Sequence, residues 1–315
     1  LFNFVLVTGG AGFIGANLVR KLLSDGIRVR VLDNFSRSDA RNLEGLEVDV
    51  KIGDIRDLRT VCEAMSNEIE AVIHLAAFGS VTESVSALDE NFEVNVRGTV
   101  NLLRAAADRA VKRFVFASSG GAVVGHAALP VSEDSLPRPI SPYGASKLCG
   151  EAYCHAFART FALPTVALRF ANVYGPFSHR KRSAVTTFAK ALLTSRPLII
   201  YGDGSATRDF LFVDDLCHGI CQALKAAVTP GTVLHLATGI ETTILTLAEE
   251  LRTIAGRPSH PIRFEKARAA ELARNFARFD RAREVLGFTP RIPLAEGLEL
   301  TWRWFRDEHA AGRLL

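Results

Sequence analysis

Phe4-Val5-Leu6-Val7, running into Thr8-Gly9-Gly10-Ala11-Gly12-Phe13-Ile14-Gly15, is the stretch whose reading decides the fold. The apolar run reads as a buried strand. Phe13, Ile14, Leu18, Val19, Leu22 and Leu23 mark one side of a following helix, which Gly26 stops. A second strand, Val29-Arg30-Val31-Leu32, ends on Asp33. Each glycine meets a separate need. Gly9 turns the chain off the strand, Gly12 leaves the backbone open to a pyrophosphate, and Gly15 lets the helix pack closely on the sheet. The N–H groups at the helix start, around Phe13 and Ile14, face the anion. Asp33 stands where a carboxylate accepts hydrogen bonds from both hydroxyls of an adenosine ribose. A 2′-phosphate would meet its charge there, so the pattern favours NAD over NADP, an expectation that the nearby Arg37 softens.

Further along, strands alternate with helices. A polar loop from Asn34 leads to a strand at 48–52 and then Gly53-Asp54-Ile55, with Asp54 able to accept from the adenine amino group. Asn34 and Ile55 flank it in the same expected cofactor contact set. A helix at 58–65 precedes strand 71–75, whose end at Leu75, Ala76 and Ala77 is small enough for the backbone to approach the cofactor. A long helix is expected over 89–110, and strand 114–117 ends in Ser118-Ser119-Gly120-Gly121. Ser141 and Pro142 look like the cap and first turn of another helix, and strand 165–170 runs into Asn172-Val173-Tyr174-Gly175-Pro176. Regular βα alternation means a parallel sheet with right-handed crossovers, that is, an α/β, doubly wound, Rossmann-type fold with ligands at the strand C-termini. Beyond about residue 175 the rhythm breaks. The sequence therefore divides into a cofactor domain over 1–174 and a smaller mixed α/β substrate domain over 175–315, with some exchange of chain between them. The tail over 265–305 is Arg-rich and reads as helical.

Composition sets outer bounds. The 315 residues suffice for a large core, and 48% hydrophobic with 23% charged residues is a soluble globular balance. No apolar run is long enough for a bilayer, and the start of the chain reads as a core strand and not a signal peptide, so a cytoplasmic setting is expected. Five cysteines do not make a disulfide framework. Cys217, His218 and Cys221 share a helix, but without a second ligand cluster they read as buried small residues and no metal is expected. A net charge of +4 suits a small anionic ligand and does not point to nucleic acid. The basic run His179-Arg180-Lys181-Arg182 reads either as a solvated loop or as part of an anionic substrate's site.

Tyr143 and Lys147, four apart, point from one helix face, and Ser119 lies at a strand tip upstream. Beside a dinucleotide site these make a proton-transfer constellation. A nearby ammonium and a positive nicotinamide ring should lower the tyrosine pKa. Tyr143 could then take a substrate hydroxyl proton while the carbinol hydride passes to NAD. Lys147 would also hold the nicotinamide ribose, and Ser119 the reacting oxygen.

Taken together, Thr8-Gly-Gly-Ala-Gly-Phe-Ile-Gly15, Asp54, Ser118-Ser119, Tyr143-Gly-Ala-Ser-Lys147, Asn172-Val-Tyr-Gly-Pro176 and Arg208-Asp-Phe resemble the extended short-chain dehydrogenase/reductase family, and within it the nucleotide-sugar epimerases. The resemblance covers essentially the whole chain. It implies that Ser119, Tyr143 and Lys147 form the catalytic trio, and that Asn95 and Asn172 lie near a bound UDP-sugar. It also implies that Arg208 clamps the substrate diphosphate. Arg268 resembles a later substrate-binding arginine, although Ala269 and Ala270 depart from the family segment. Homodimers through helices at about 89–110 and 143–162 are implied as well. Val124 stands where the family usually has tyrosine, and the two glycines at 120 and 121 leave Ser118 and Ser119 as alternatives for the catalytic serine. Sugar dehydratases carry an acid pair after this strand, and nucleotide-sugar decarboxylases a glutamate. Here the turn holds Gly120, Gly121 and Ala122, which points to 4-epimerisation of a UDP-hexose with no net redox change. The alternatives are a UDP-uronic acid 4-epimerase, a net oxidoreductase, and a non-catalytic dinucleotide sensor.

Overall fold

The structure is a computed structural model that describes residues 2–267 and 272–314. Its first half comprises β1 (Phe4–Thr8), α1 (Phe13–Ser24), β2 (Arg28–Asp33), β3 (Asp49–Ile52), α2 (Leu58–Ala64), β4 (Ala71–His74), α3 (Glu83–Ser86), α4 (Leu88–Phe92), α5 (Gly98–Asp108), β5 (Arg113–Ser119), α6 (Gly120–Val124) and α7 (Pro142–Thr160). There follow β6 (Thr165–Phe170), β7 (Asn172–Tyr174), α8 (Ala184–Leu193), β8 (Leu198–Tyr201), β9 (Thr207–Arg208), β10 (Phe210–Phe212) and α9 (Val213–Lys225). Last come β11 (Thr232–Leu236), β12 (Thr242–Thr243), α10 (Ile244–Ile254), β13 (Ile262–Glu265), α11 (Asp280–Leu286) and α12 (Leu294–Ala310).

Seven parallel strands form the main sheet in the order β11-β6-β5-β4-β1-β2-β3. The order reverses between β1 and β4, and in open α/β sheets ligands bind at the strand C-termini beside such a reversal. The two-residue period of the strands divides the core. Val5, Val7, Val31, Ile73 and Val115 face one side, with Leu18 and Leu22 of α1 and Ile220 and Leu224 of α9. Leu6, Leu32, Val72, Phe114 and Phe116 face the other, with Val61 of α2, Leu102 and Leu103 of α5 and Cys154 of α7. Each large aliphatic side chain so buried contributes about 1.5–3 kcal/mol. The first core continues without a break through Leu198, Ile200, Leu247, Leu251 and Phe305, so the C-terminal elements pack directly on the α1 side.

Several elements depart from the sequence reading. The helix expected over 89–110 starts at Leu88 and carries a π turn at Glu93–Arg97. Such a bulge re-aims side chains and recurs near functional sites. The Gly120-Gly121 stretch, expected as a turn, is the short helix α6. The tail is not helical throughout: β13 ends at Glu265, and Val131 bridges Ala277 in extended chain. Hydrophobic periodicity alone does not register such a bridge, because the partner strand is distant in sequence. β11, beyond the point where the rhythm breaks, belongs to the main sheet. Cys217 and Cys221 lie in the apolar core, and burial pushes both thiols up. Among the described residues no helix is long and apolar enough to cross a membrane.

Candidate active site

The glycine turn at the end of β1 is closed tightly by backbone. Gly9 has φ +70°, and a Cβ on it would lie 2.7 Å from the Ala76 nitrogen. Leu75 N–H donates to the Thr8 carbonyl at 3.1 Å and Ala76 N–H to the Thr8 hydroxyl at 3.3 Å. A Cβ on Gly15 would meet the Gly9 carbonyl oxygen at 2.2 Å. Gly12 differs: a Cβ there would meet only that oxygen, at 3.2 Å. Gly12 is also the N-cap of α1 and makes no side-chain cap bond, so Phe13, Ile14 and Gly15 head a helix without a capping side chain. This space and these donors suit a pyrophosphate.

Asp33 is buried at the end of β2 and already holds the loops around the turn. Its carboxylate accepts from Ala11 N–H at 3.1 Å, Phe35 N–H at 2.9 Å and the Ser38 hydroxyl at 2.7 Å. Arg37 turns to Glu83 at 2.8 Å and stacks on Phe78 with 3.8 Å to the ring centroid. Asp54 accepts from Asn34 at 2.7 Å and forms a two-pronged pair with Arg56 at 2.7 and 2.9 Å. The Arg56 hydrogen bond holds the Asp54 carboxyl down at about 2. Ile55 is buried against Gly98, where a Cβ would come within 2.6 Å of it.

The geometry separates the two serines. Ser118 Oγ donates to Glu151 Oε1 at 2.5 Å, in the interior. Ser119, one residue on and on the other face of β5, is the hydroxyl that draws the Tyr143 phenol down. Ser141 caps α7 by accepting from Gly144 N–H at 3.1 Å, which fixes the helix start that presents Tyr143. Lys147 Nζ donates to the Ala117 carbonyl at 2.8 Å and lies 5.9 Å from the Tyr143 ring centroid. Burial pushes the Tyr143 phenol up to about 12, against the pull of Ser119, and pushes Lys147 down to about 8. The lowered phenol expected from the sequence is thus not a property of the protein alone: desolvation outweighs the pull of Ser119.

Other expected residues are distributed as follows. Asn95, on the π turn, is buried; its amide accepts from Phe78 N–H at 2.7 Å and donates to Ser146 Oγ at 2.9 Å. Asn172 opens β7, its N–H donating to the Asp209 carbonyl at 2.8 Å. Arg208 donates to the carbonyls of Thr207 and Leu272 at 2.7 and 2.8 Å. Arg268 lies outside the described residues. The basic run disperses: His179 and Arg180 go to Asp39 at 3.3 and 3.6 Å, Arg182 to Glu83 at 2.6 Å, and Lys181 Nζ to the Val173 carbonyl at 2.6 Å.

Three features escaped the sequence reading. Asn275 sits against the active-site helix α6, so that a Cβ on Gly121 would lie 2.0 Å from its Nδ2. The paired glycines were the available signal, since they clear room for an incoming side chain. His74 bridges Thr8 Oγ1 at 2.7 Å and Thr99 Oγ1 at 3.0 Å, and burial pushes it down to about 3. Glu151, below Lys147 on α7, meets Ser118 and Arg169.

A doubly wound sheet with this glycine turn and a Ser-Tyr-Lys cluster at its C-terminal edge defines a dinucleotide-dependent class of proteins, and the NAD dependent epimerase/dehydratase family model matches residues 5–237. The chain belongs to that family. More particularly, it is 40% identical over 310 residues to the UDP-glucose 4-epimerase of Mycolicibacterium smegmatis, covering 96% of this chain and 98% of that one. The UDP-glucose 4-epimerase of Thermotoga maritima, solved with UDP-glucose, superposes with a TM-score of 0.93 at 35% identity over 97% of this chain and 99% of that one. The Thermus thermophilus UDP-glucose 4-epimerase, solved with NAD, gives 0.89 at 34% identity over 96% and 99%.

Proposed function

We propose that the protein interconverts the C4 epimers of a UDP-hexose of the UDP-glucose type, with NAD as a resident cofactor. The observation that carries this reading is the gathering of Tyr143, Lys147 and Ser119 at one strand tip, where Ser119 draws on the phenol and Lys147 is held by the Ala117 carbonyl, followed by Gly120, Gly121 and Ala122 with no acid. Gly9, Gly12, Gly15, Phe13 and Ile14 hold the pyrophosphate, Asp33 and Asn34 the adenosine ribose, Asp54 and Ile55 the adenine side, and Leu75 to Ala77 the backbone beside the dinucleotide. Bound NAD supplies hydride acceptance and return at the sugar C4. Tyr143 takes the C4 hydroxyl proton and gives it back after the sugar has turned its other face; Ser119 holds the reacting oxygen, and Lys147 holds the ribose and carries the positive charge. Arg208, Asn172 and Arg268 bind the nucleotide sugar. Asn95 acts from behind, through Phe78 and Ser146.

A C6 carboxylate on the sugar finds less support. In the basic run Arg180 and Arg182 are paired with Asp39 and Glu83, Lys181 donates to the Val173 carbonyl, and burial pushes the His179 imidazole down, away from its charged form. We assign the NAD-binding domain, which also carries Ser119, Tyr143, Lys147 and Asn172, to residues 1–174 and the substrate domain to 175–315, with β11 returned to the main sheet. Two copies pair through the α4–α5 and α7 surfaces, where Leu88, Phe92, Tyr153 and Phe161 are exposed. A cytoplasmic setting agrees with five free thiols.

The test is to incubate the purified protein with UDP-glucose and, separately, UDP-glucuronic acid, with and without added NAD. Products are resolved by chromatography while the NADH band is followed. A C4 epimer of UDP-glucose without lasting NADH absorbance is expected. NADH rising in step with product would replace the epimerase with a dehydrogenase, and turnover of the uronic acid alone would replace the sugar.

A further inference from the structure

Tyr143, Lys147 and Glu151 recur at every fourth position of α7 and share one face. The first two belong to the proton-transfer site; nothing above uses the third. Glu151 is nonetheless a buried carboxylate with three hydrogen bonds. Its Oε1 accepts from Ser118 at 2.5 Å and from Arg169 Nε at 2.8 Å, and its Oε2 accepts from Arg169 Nη2 at 2.8 Å. Ser118, Lys147, Glu151 and Arg169 are each at most 5% exposed. A purely structural pair could be replaced by apolar side chains at little cost, so its place one turn below Lys147 calls for an account.

The charges around it are few. On α7 the neighbours are Lys147 and Cys154, whose thiol burial pushes well up and keeps neutral. β5 contributes Ser118 and β6 Arg169. From β11 comes His235, pushed down to about 3 by burial and by Arg169, and from β4 His74, pushed down to about 3 by burial and by Lys147. Both imidazoles are neutral near pH 7. Lys147 and Arg169 are therefore two buried cations with one carboxylate near them: Arg169 is paired with it and cannot give up its proton, and Lys147, one turn away and bonded to the Ala117 carbonyl, feels its charge. Without the Glu151 charge the ammonium is the group that yields.

We propose that Glu151 is a positioning residue of the proton-transfer site: the buried counter-charge that keeps Lys147 an ammonium beside Tyr143, locked in place by Arg169 and Ser118. This rests on the reading of Tyr143 and Lys147 as the proton-transfer pair. Through Ser118 the same carboxylate ties α7 to the β5 tip from which Ser119 reaches the phenol.

The experiment titrates the phenolate absorbance of the NAD-loaded protein, with the Tyr143→Phe signal subtracted to remove the other three tyrosines. Glu151→Gln is expected to raise the Tyr143 midpoint by about one pH unit, because a neutral lysine no longer favours the phenolate. Glu151→Asp, which keeps the charge, is expected to leave it in place. Should Glu151→Gln not fold, Glu151→Asn removes the same charge with a shorter amide, keeps Arg169, and is expected to move the midpoint the same way. An unmoved midpoint in the variant that folds overturns the proposal and leaves a structural ion pair. In turnover of UDP-glucose, Glu151→Gln should move the alkaline limb of kcat to lower pH with KM within about twofold. A wild-type protein that does not turn over UDP-glucose defeats the functional reading alone, since the titration needs no substrate.

Discussion

Tyr143→Phe is expected to lower kcat for UDP-glucose by about 10³-fold, within the range that a positioned acid–base group supplies, with NAD content and Tm unchanged. The substitution removes one oxygen, whose partner in the ligand-free chain is Ser119. The ring, the α7 cap and the backbone bond from Tyr143 N–H to Ser84 Oγ at 3.2 Å all remain. Loss is therefore expected in the chemical step and not in folding. The protonation state sharpens the argument. With the phenol up at about 12 and Lys147 down at about 8, the ligand-free site holds a neutral phenol at pH 7. Its proton-accepting power has to arise when a ligand brings positive charge to the cleft. Rates by chromatographic product assay, together with NAD content after denaturation, are the measurements. Activity within tenfold of wild type would mean that another group moves the proton.

How much of this was legible beforehand depended on sequence distance. The β1 turn, α1 and Asp33 lie within thirty residues and carry a local pattern of glycines, apolar period and acid; the structure builds them as read, with Gly26 at positive φ just past the helix. Tyr143 and Lys147 were legible for the same reason, as two positions of one helix. What was hidden needed contacts across the chain. That Ser119 and not Ser118 meets Tyr143 follows from strand facing, which a pair of adjacent serines cannot disclose. Asn275 reaches α6 from more than 150 residues away. The basic run His179 to Arg182 looks like one patch in sequence, yet its side chains go to Asp39, Val173 and Glu83 in a loop where neighbours diverge. The burial that raises the Tyr143 phenol in the protein alone was hidden for a related reason: proximity of charge is readable from spacing, whereas depth of burial is not.

Gly15→Ala and Gly12→Ala should fail in different ways, and the difference tests the turn itself. At Gly15 the new methyl would lie 2.2 Å from the Gly9 carbonyl oxygen and 2.6 Å from the Gly10 Cα. Both are backbone atoms, and Gly9 is itself pinned by Ala76 at 2.7 Å from its own missing Cβ, so nothing flexible can yield. α1 has to lift from β1, loosening Leu18 and Leu22 in the core. Overpacking of this kind costs about 1–3 kcal/mol or more, and the expected result is a Tm lowered by several degrees together with loss of bound NAD. At Gly12 the methyl meets only the Gly9 oxygen at 3.2 Å, which a small shift relieves. Gly12→Ala should therefore melt close to wild type yet bind NAD at least tenfold more weakly, because the methyl occupies the space through which a pyrophosphate approaches the helix N-terminus. Differential scanning calorimetry and equilibrium NAD titration separate the two effects. A Gly12→Ala protein that keeps wild-type NAD affinity would show that the anion sits elsewhere, whereas a Gly15→Ala protein with wild-type Tm would show that α1 does not pack on β1 as closely as these contacts require.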